Sequence, residues 1–262
     1  MNFIRLLALF IVLPFCFVSS PMAKTLQIGT STSTENSGLL TYLLPHFTQQ
    51  TNIDVNYIAV GTGAALKLGR EGKVDVLLVH SEPAELKYMA QGFGSRREPF
   101  MFNDFIIVGK DQNTYTDLPH FFKHLVDNQL FFVSRGDSSG THKKEEILWQ
   151  QFNYDPIGEP WYIETGLGMA KTLLEANVRQ AYTLIDRGTW LAKESQVDLT
   201  IVFENAPQLL NPYSAIVTTT EKQNYAVANQ FVDWLLSDKA QTLIGEFRVN
   251  NNVLFKPIAL LK

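Results

Sequence analysis

Short apolar segments alternate with helical patterns along most of the chain. The apolar segments lie at residues 25–28, 55–60, 130–133, 162–163 and 181–185. Each ends in a turn rich in Gly, Ser or Thr, and a helical pattern follows, as at Leu39, Leu43 and Phe47. Strands that alternate with helices predict an α/β fold with mostly parallel sheets. A ligand of such sheets lies beyond the carboxyl ends of the strands, where all five turns fall.

The pattern also predicts two lobes joined by two crossings of the chain. Residues 103–109 (NDFIIVG) form a strand that leaves the first lobe, and residues 211–217 (NPYSAIV) form the return. We therefore expect lobe 1 to comprise residues 24–107 and 214–262, and lobe 2 to comprise residues 108–213. A hinge of two strands suits closure around a ligand.

Residues 1–23 have the layout of a secretory signal peptide. Arg5 precedes an apolar run that is too short to span a bilayer, and a small, polar stretch ends at Ala23. We expect cleavage after Ala23 and a periplasmic mature protein. Cys16 follows Phe15, whereas a lipid-acceptor cysteine normally follows a small residue, so a lipid anchor is disfavoured.

Composition excludes several kinds of site. Cys16 is the single cysteine, so the mature chain would have no disulfide, cysteine metal site or catalytic thiol. His120 and His124 could share a helix face, but no third ligand lies nearby, and we expect neither a metal site nor a cofactor. The net charge of −4, without a basic stripe, argues against nucleic acid. Any bound anion must therefore be held by local donors.

The turns carry such donors. A helix N-terminus offers free N–H groups and partial positive charge, hydroxyls add neutral donors, and an Arg adds a charged fork. The strongest candidate is residues 134–142 (SRGDSSGTH), with Arg135 and the hydroxyls of Ser138, Ser139 and Thr141. Residues 30–34 come next, because five consecutive hydroxyl residues are more than one helix cap needs.

Two further turns are ambiguous from the residues alone. Thr62, between two glycines, would add a hydroxyl, although a plain turn explains it equally well. Arg187 either faces the anion or pairs with Asp186 or Glu164 inside the protein. Helix capping without any ligand is the competing interpretation of each single turn.

The same residues allow a weaker interpretation as an enzyme. Asp137, Ser139 and His142 could suggest a secreted hydrolase, but the chain lacks a G-x-S-x-G motif and a triad is defined by geometry. We therefore expect a binding protein and no enzyme. A sensory module that presents a bound anion to a membrane receptor is a third hypothesis, which shares the same site.

Seven segments of the chain resemble the substrate-binding proteins of tungstate ABC importers. They are TSTSTENSGLL (30–40), AVGTGAALKLGREGKVDVLLVH (59–80), MFNDFIIVG (101–109), SRGDSSGTHKKE (134–145), WYIETGLGM (161–169), YTLIDRGT (182–189) and LLNPY (209–213). They occur in the family's order over nearly the whole mature chain. Ser31 occupies a Thr position of the family signature and keeps the hydroxyl.

The resemblance implies a two-lobed periplasmic binding fold of type II, like that of molybdate- and phosphate-binding proteins. It also implies an anion held between the lobes and an importer permease with its ATPase as partners. A monomer fits this shuttle role. The expected anion-binding residues, from the turns and the resemblance together, are Ser31, Thr32, Ser33, Thr62, Arg135, Ser138, Ser139, Thr141 and Arg187.

Proton chemistry narrows the choice of anion. Tungstate, molybdate and sulfate are proton-free dianions near neutral pH, so a site made of donors suits them. Monohydrogen phosphate needs an acceptor, and phosphate-binding relatives carry an Asp where His80 and Ser81 stand here, although Asp137 could still serve. A buried carboxylate would repel a dianion. Only the resemblance favours tungstate over molybdate, and molybdate, sulfate and phosphate remain alternatives.

Overall fold

The computed structural model describes residues 25–110, 115–219 and 224–258. The predicted signal peptide and its cleavage after Ala23 lie outside these ranges. Within the described ranges, no helix has the length and apolar character needed to cross a membrane.

The first part of the chain alternates strands and helices as predicted. Its elements are β1 (Thr25–Ser31), α1 (Thr32–Asn36), α2 (Leu39–Thr51), β2 (Asp54–Val60), α3 (Thr62–Arg70), β3 (Val76–Val79), α4 (Glu82–Ala90) and the long strand β4 (Gly94–Gly109).

The middle and last parts continue the alternation. The middle elements are α5 (Leu118–Asp127), β5 (Phe132–Ser134), α6 (Gly140–Gln151), β6 (Tyr162–Glu164), α7 (Met169–Arg179), β7 (Thr183–Asp186), α8 (Arg187–Lys193) and β8 (Thr200–Phe203), with short 3₁₀ turns at Glu194–Gln196 and Pro207–Leu209. The last elements are β9 (Leu210–Thr218), α9 (Tyr225–Leu236), α10 (Asp238–Glu246), β10 (Arg248–Val249), β11 (Asn252–Val253) and β12 (Lys256–Pro257).

Two mixed sheets form the cores of two lobes. In lobe 1 the strand order is β2-β1-β3-β9-β4-β12, with β1 parallel to β2 and β3, and β9 antiparallel to β3 and β4. In lobe 2, β5 pairs parallel with β6, and an isolated parallel bridge joins Phe132 of β5 to Tyr182. Strands β7 and β8 both pair antiparallel with the end of β4. The predicted two-lobed α/β fold is confirmed. Strands β4 and β9, which carry the connections between the lobes, pair antiparallel.

Strand β4 belongs to both sheets. Asp104 pairs with Leu210 of β9, and the next residue, Phe105, pairs with Asp186 of β7. The chain returns to lobe 1 through residues 204–209 and enters β9 at Leu210. The division after residues 107 and 213 stays a prediction, and the changes of strand partner lie a few residues before these positions.

Apolar helix faces cover both sheets. In lobe 1 the apolar stripe of α9, formed by Val227, Phe231 and Leu235, is buried against the apolar face of α2 and the sheet. In lobe 2 an aromatic cluster around Trp149 covers one sheet face, and a cluster with Leu173 of α7 covers the other. Each fully buried side chain of this size stabilises the fold by about 1.5–3 kcal/mol, so both sheets are held rigid enough to position the turns at their ends.

Candidate anion-binding site

The five predicted turns each connect the carboxyl end of a strand to the start of a helix. Strands β1, β2, β5, β6 and β7 end at Ser31, Val60, Ser134, Glu164 and Asp186, and α1, α3, α6, α7 and α8 begin within six residues of those ends. The turns at Gly61 and Gly168 are open, since an added Cβ would have no atom within 4 Å. Two of the turns, before α1 and α6, lie next to His80 at the junction of the lobes.

In the hydroxyl-rich turn of lobe 1 (residues 30–34), some side chains cap α1 and others face outward. Ser31 caps α1: its Oγ accepts the N–H of Thr34 at 3.2 Å and lies 2.7 Å from Thr34 Oγ1. Ser31 and Thr34 are buried, whereas Thr32 and Ser33 are exposed. Ser33 Oγ contacts Ser31 Oγ at 3.0 Å and His80 Nε2 at 3.1 Å. Thr32 and Ser33 are therefore the residues of this turn that face solvent.

The turn of lobe 2 presents a cation with an unused donor. Arg135 Nη2 pairs with Asp137 Oδ2, and Arg135 Nε is buried without a partner among the described residues. A buried polar group without a partner is uncommon and needs an explanation. Burial acts to raise the pKa of Asp137, but hydrogen bonds from Ser139 and Arg135 outweigh it and lower that pKa. The carboxylate thus stays charged and orients the guanidinium.

The backbone of this turn is tightly constrained. Gly136 has a φ of +58°, and a Cβ on it would lie 2.8 Å from Glu164 Cβ, so only glycine fits. Ser138 also has a positive φ of 58°, and its N–H donates to His142 Nδ1 at 3.0 Å. Ser139 caps α6 by accepting the N–H of His142. The loop holds Arg135 and three hydroxyl residues in one arrangement.

These contacts are those of a capped loop and not of a catalytic triad. The hydrogen bond between Ser139 and His142 uses the backbone N–H of His142, and the imidazole Nδ1 accepts from Ser138. A nucleophile and its base would be joined through the hydroxyl and the ring nitrogen. Among the residues that the structure describes, no group of three or more His, Cys, Asp or Glu side chains could hold a metal ion.

Arg187 is engaged within the protein. Its Nε and Nη2 donate to both carboxylate oxygens of Asp104, at 2.6 and 2.5 Å, and Nη2 also donates to Glu204 at 2.6 Å. Hydrogen bonds to Asp104 raise the pKa of Arg187 despite its burial. Asp104 and Arg187 line a cavity of about 190 Å³ at the two crossings. Of the two interpretations of Arg187, this geometry favours the intramolecular pair, with partners other than Asp186 and Glu164.

Four residues at the junction of the lobes were not among the predicted site residues. His80 follows β3, stacks on Tyr213 with ring centroids 4.5 Å apart, and lies 3.4 Å through Nδ1 from Asn211 Oδ1. Asn211 Nδ2 donates to Asn103 at 2.7 Å, and Asn103 Nδ2 reaches the Tyr213 hydroxyl at 3.4 Å. Asn103, Asn211 and Tyr213 lie in the segments NDF and LLNPY, and these polar side chains within strand patterns were the available signal for the network.

Glu145 is a buried carboxyl group behind the lobe 2 turn. Glu145 is only 2% exposed. Its carboxyl group accepts hydrogen bonds from Tyr162 Oη at 2.7 Å and from Trp149 Nε1 at 3.4 Å. Burial raises the pKa of Glu145 to about 7, against the lowering effect of hydrogen bonds from Tyr162, Ser134 and Trp149. The carboxyl group therefore holds its proton in the folded state over a pH range where the unfolded chain releases it.

We predict that Glu145→Gln flattens the dependence of stability on pH. The folded-state pKa lies above the unfolded value, so the contribution of Glu145 is fully present at low pH and is lost as pH rises toward about 7. The variant should gain on the order of 2–3 kcal/mol relative to the natural chain between pH 5 and pH 8, measured by urea unfolding. Glu146→Gln, at an exposed neighbour, is the control and should follow the natural chain. An unchanged pH profile in Glu145→Gln would contradict the prediction.

The fold and the polar junction with its arginine donor, unpaired among the described residues, are those of a periplasmic binding protein, which holds its ligand between two lobes. The PBP superfamily domain matches residues 18–239. The tungstate-binding protein TupA of Peptoclostridium acidaminophilum is 44% identical over 88% of this chain and 84% of its own length. The chain belongs to this family of tungstate-binding solute receptors.

Solved structures agree with the assignment. The tungstate-binding protein TupA from Desulfovibrio alaskensis G20 superposes with a TM-score of 0.87 at 39% identity, over 90% of this chain and 99% of that chain. The tungstate ABC transporter structure from Geobacter sulfurreducens gives a TM-score of 0.73 at 41% identity, over 85% and 98% of the two chains. The relatives are transport components, and the family resemblance seen in the sequence is confirmed.

Proposed function

We propose that this chain binds tungstate in the cleft between its lobes and delivers it to an ABC importer. The observation that carries the proposal is Arg135, whose buried Nε has no partner among the described residues and lies in a turn with three hydroxyl residues. An anionic oxygen is a suitable acceptor for a desolvated guanidinium donor, because hydrogen bonds between charged groups are stronger than those between neutral groups. The tungstate-binding relatives supply the identity of the anion.

The proposed contacts come from both lobes. Arg135, Ser138, Ser139 and Thr141 act from lobe 2, and Ser31, Thr32, Ser33 and Thr62 act from lobe 1. Ser31 and Ser139 cap helices, but a hydroxyl that accepts a backbone N–H keeps its own proton to donate. The assignment of these residues stays a prediction. Arg187 entered the set from its turn and from the resemblance, but its described hydrogen bonds are to carboxylates.

The donor set favours a proton-free dianion over phosphate. Asp137 is the carboxylate nearest in sequence to Arg135, and its two oxygens are engaged by Arg135 and by the N–H of Ser139. Its lowered pKa keeps it ionised and paired with Arg135. Because both of its oxygens already accept hydrogen bonds inside the turn, Asp137 orients the cation and is not the acceptor that the proton of monohydrogen phosphate needs.

The partners and location follow from the same proposal. The permease and the ATPase of a tungstate importer would receive the anion, and the protein would act as a periplasmic monomer after removal of residues 1–23. The relatives described above are named as binding proteins and transporters of this kind. Neither nucleic acid nor a cofactor has a part in the proposed function.

Calorimetric titration of the mature protein with tungstate, molybdate, sulfate and phosphate tests the proposal. We expect tight binding of tungstate with one anion per chain, and no heat of binding from phosphate. The molybdate titration measures the selectivity that the residues alone do not determine. If none of the four anions binds, the turns are helix caps only and the proposed function is wrong.

A further inference from the structure

His80 occupies the junction between the lobes and has polar partners on both ring nitrogens. Its Nε2 lies 3.1 Å from Ser33 Oγ, and its Nδ1 lies 3.4 Å from Asn211 Oδ1. A Cβ built on Gly140, the first residue of α6 in lobe 2, would lie 3.9 Å from His80 Cε1. His80 therefore contacts a hydroxyl residue of the proposed anion site from lobe 1 and faces the turn that carries Arg135.

The hydrogen bonds around Asn211 determine which ring nitrogen carries the proton. Asn211 Nδ2 donates to Asn103 Oδ1 at 2.7 Å, so Asn211 Oδ1 is the atom that faces His80. An amide oxygen only accepts hydrogen bonds, and His80 Nδ1 must therefore carry a hydrogen. In the neutral ring Nε2 is then an acceptor, and the hydroxyl proton of Ser33 points to it.

Two further side chains lie around Ser33 and His80. The Tyr213 hydroxyl accepts from Asn103 Nδ2 at 3.4 Å, and the Tyr213 ring stacks on His80. Ser31 Oγ lies 3.0 Å from Ser33 Oγ on the other side. With neutral His80, the single proton of Ser33 is used within the protein and is not available to an anion.

We propose that His80 is a further residue of the anion site and takes up one proton when an oxyanion binds at Ser33. The proton comes from solvent and forms an N–H bond at His80 Nε2. That N–H then donates to Ser33 Oγ, which frees the Ser33 hydroxyl to donate to an anion oxygen. No other bond forms or breaks. The inference rests on the proposed function, and it adds a positive charge beside a bound dianion.

The electrostatic surroundings of His80 are consistent with this exchange. Burial lowers the pKa of His80, while Asn211 and the negative charge of Asp186 act in the opposite direction. Asp186, at the end of β7, is the charged group that acts on the His80 ring. Tyr213 of β9 is the titratable group that stacks on the ring, and the N-terminus of α6 faces it from lobe 2. Burial raises the pKa of Tyr213, which therefore keeps its proton. Free His80 is thus neutral, and a dianion supplies the charge that favours protonation.

Calorimetric titration with tungstate in buffers of different ionisation enthalpy measures the proton uptake directly. For the natural chain at pH 7 to 8, we expect an uptake that approaches one proton per tungstate. Tungstate itself carries no proton in this range, so the uptake belongs to the protein. The dissociation constant should fall as pH falls from 8 to 6, by at most about tenfold per pH unit, because one proton is exchanged.

Three variants decide the assignment. His80→Gln should still bind tungstate, with no proton uptake and a flat pH profile, and Ser33→Ala, at an exposed side chain, should lose most of the uptake while His80 is retained. His120→Gln, at an exposed histidine of α5, should match the natural chain. Full uptake in His80→Gln, or in Ser33→Ala, would overturn the inference while leaving tungstate binding intact. Absence of tungstate binding to the natural chain would instead overturn the proposed function.

Discussion

Replacing Arg135 with alanine is expected to weaken tungstate binding by about 2–5 kcal/mol, which is a loss of about 30-fold to 4,000-fold in affinity. The side chain is only 18% exposed, and its Nε has no partner among the described residues. The guanidinium therefore offers a desolvated, charge-assisted donor, which the alanine variant lacks. Calorimetric titration at fixed pH and salt concentration measures the loss.

Two control variants separate charge, geometry and folding in this prediction. Arg135→Lys keeps the charge but loses the planar fork, so its affinity should lie between those of the natural chain and Arg135→Ala. Arg179→Ala removes the same charge from an exposed position on α7 and should leave binding unchanged. Equal affinity of Arg135→Ala and the natural chain would show that Arg135 has a structural role only.

Arg187→Ala is expected to destabilise the fold by about 3–5 kcal/mol, because it leaves the buried carboxylate of Asp104 without its partner. Asp104 is 6% exposed and receives two hydrogen bonds from Arg187. Glu204, the third member, lies at the start of the return crossing. Arg187 thus connects the two crossings between the lobes. Urea unfolding measures the loss of stability.

A double variant and a surface control test the cause of this loss. Arg187→Ala combined with Asp104→Asn should recover part of the stability, since the neutral amide removes the uncompensated charge. Arg179→Ala breaks an exposed pair with Glu175 and should cost less than about 1 kcal/mol. The affinity for tungstate should change less than tenfold in Arg187→Ala, and a loss as large as that of Arg135→Ala would restore Arg187 to the anion site.

The sequence predicted the fold well because its local signals and its long-range contacts agree. The apolar stripe of α2 and the turns after β1, β2, β5, β6 and β7 are predicted from neighbouring residues, and the structure places them as expected. The mixture of parallel and antiparallel strands in the sheets was harder to predict from the sequence. Whether β4 and β9 run antiparallel depends on pairings between residues far apart, such as Asn103 with Asn211, which no local period encodes.

Local sequence patterns likewise predicted some residues of the site and not others. Hydroxyls and an arginine at helix starts have a recognisable spacing, and they identified the turns of Ser33 and Arg135. His80 and Arg187 depend on partners more than 80 residues away, Asn211 and Asp104. A side chain whose role is decided by such a partner has no signature of its own in a single sequence.

The position of β9 has a consequence for the order in which the chain can fold. This strand lies between β3 and β4 in the sheet, but it follows both along the chain, after the whole of lobe 2. Until residues beyond 210 are synthesised, β3 and β4 each present an unpaired edge, and pairing over such sequence distances is slow. Lobe 1 therefore cannot be completed on a growing chain, and a shortened chain that ends in lobe 2 contains half a sheet instead of an independent domain. If residues 1–23 direct export as predicted, the late synthesis of this central strand keeps lobe 1 from folding before the chain crosses the membrane.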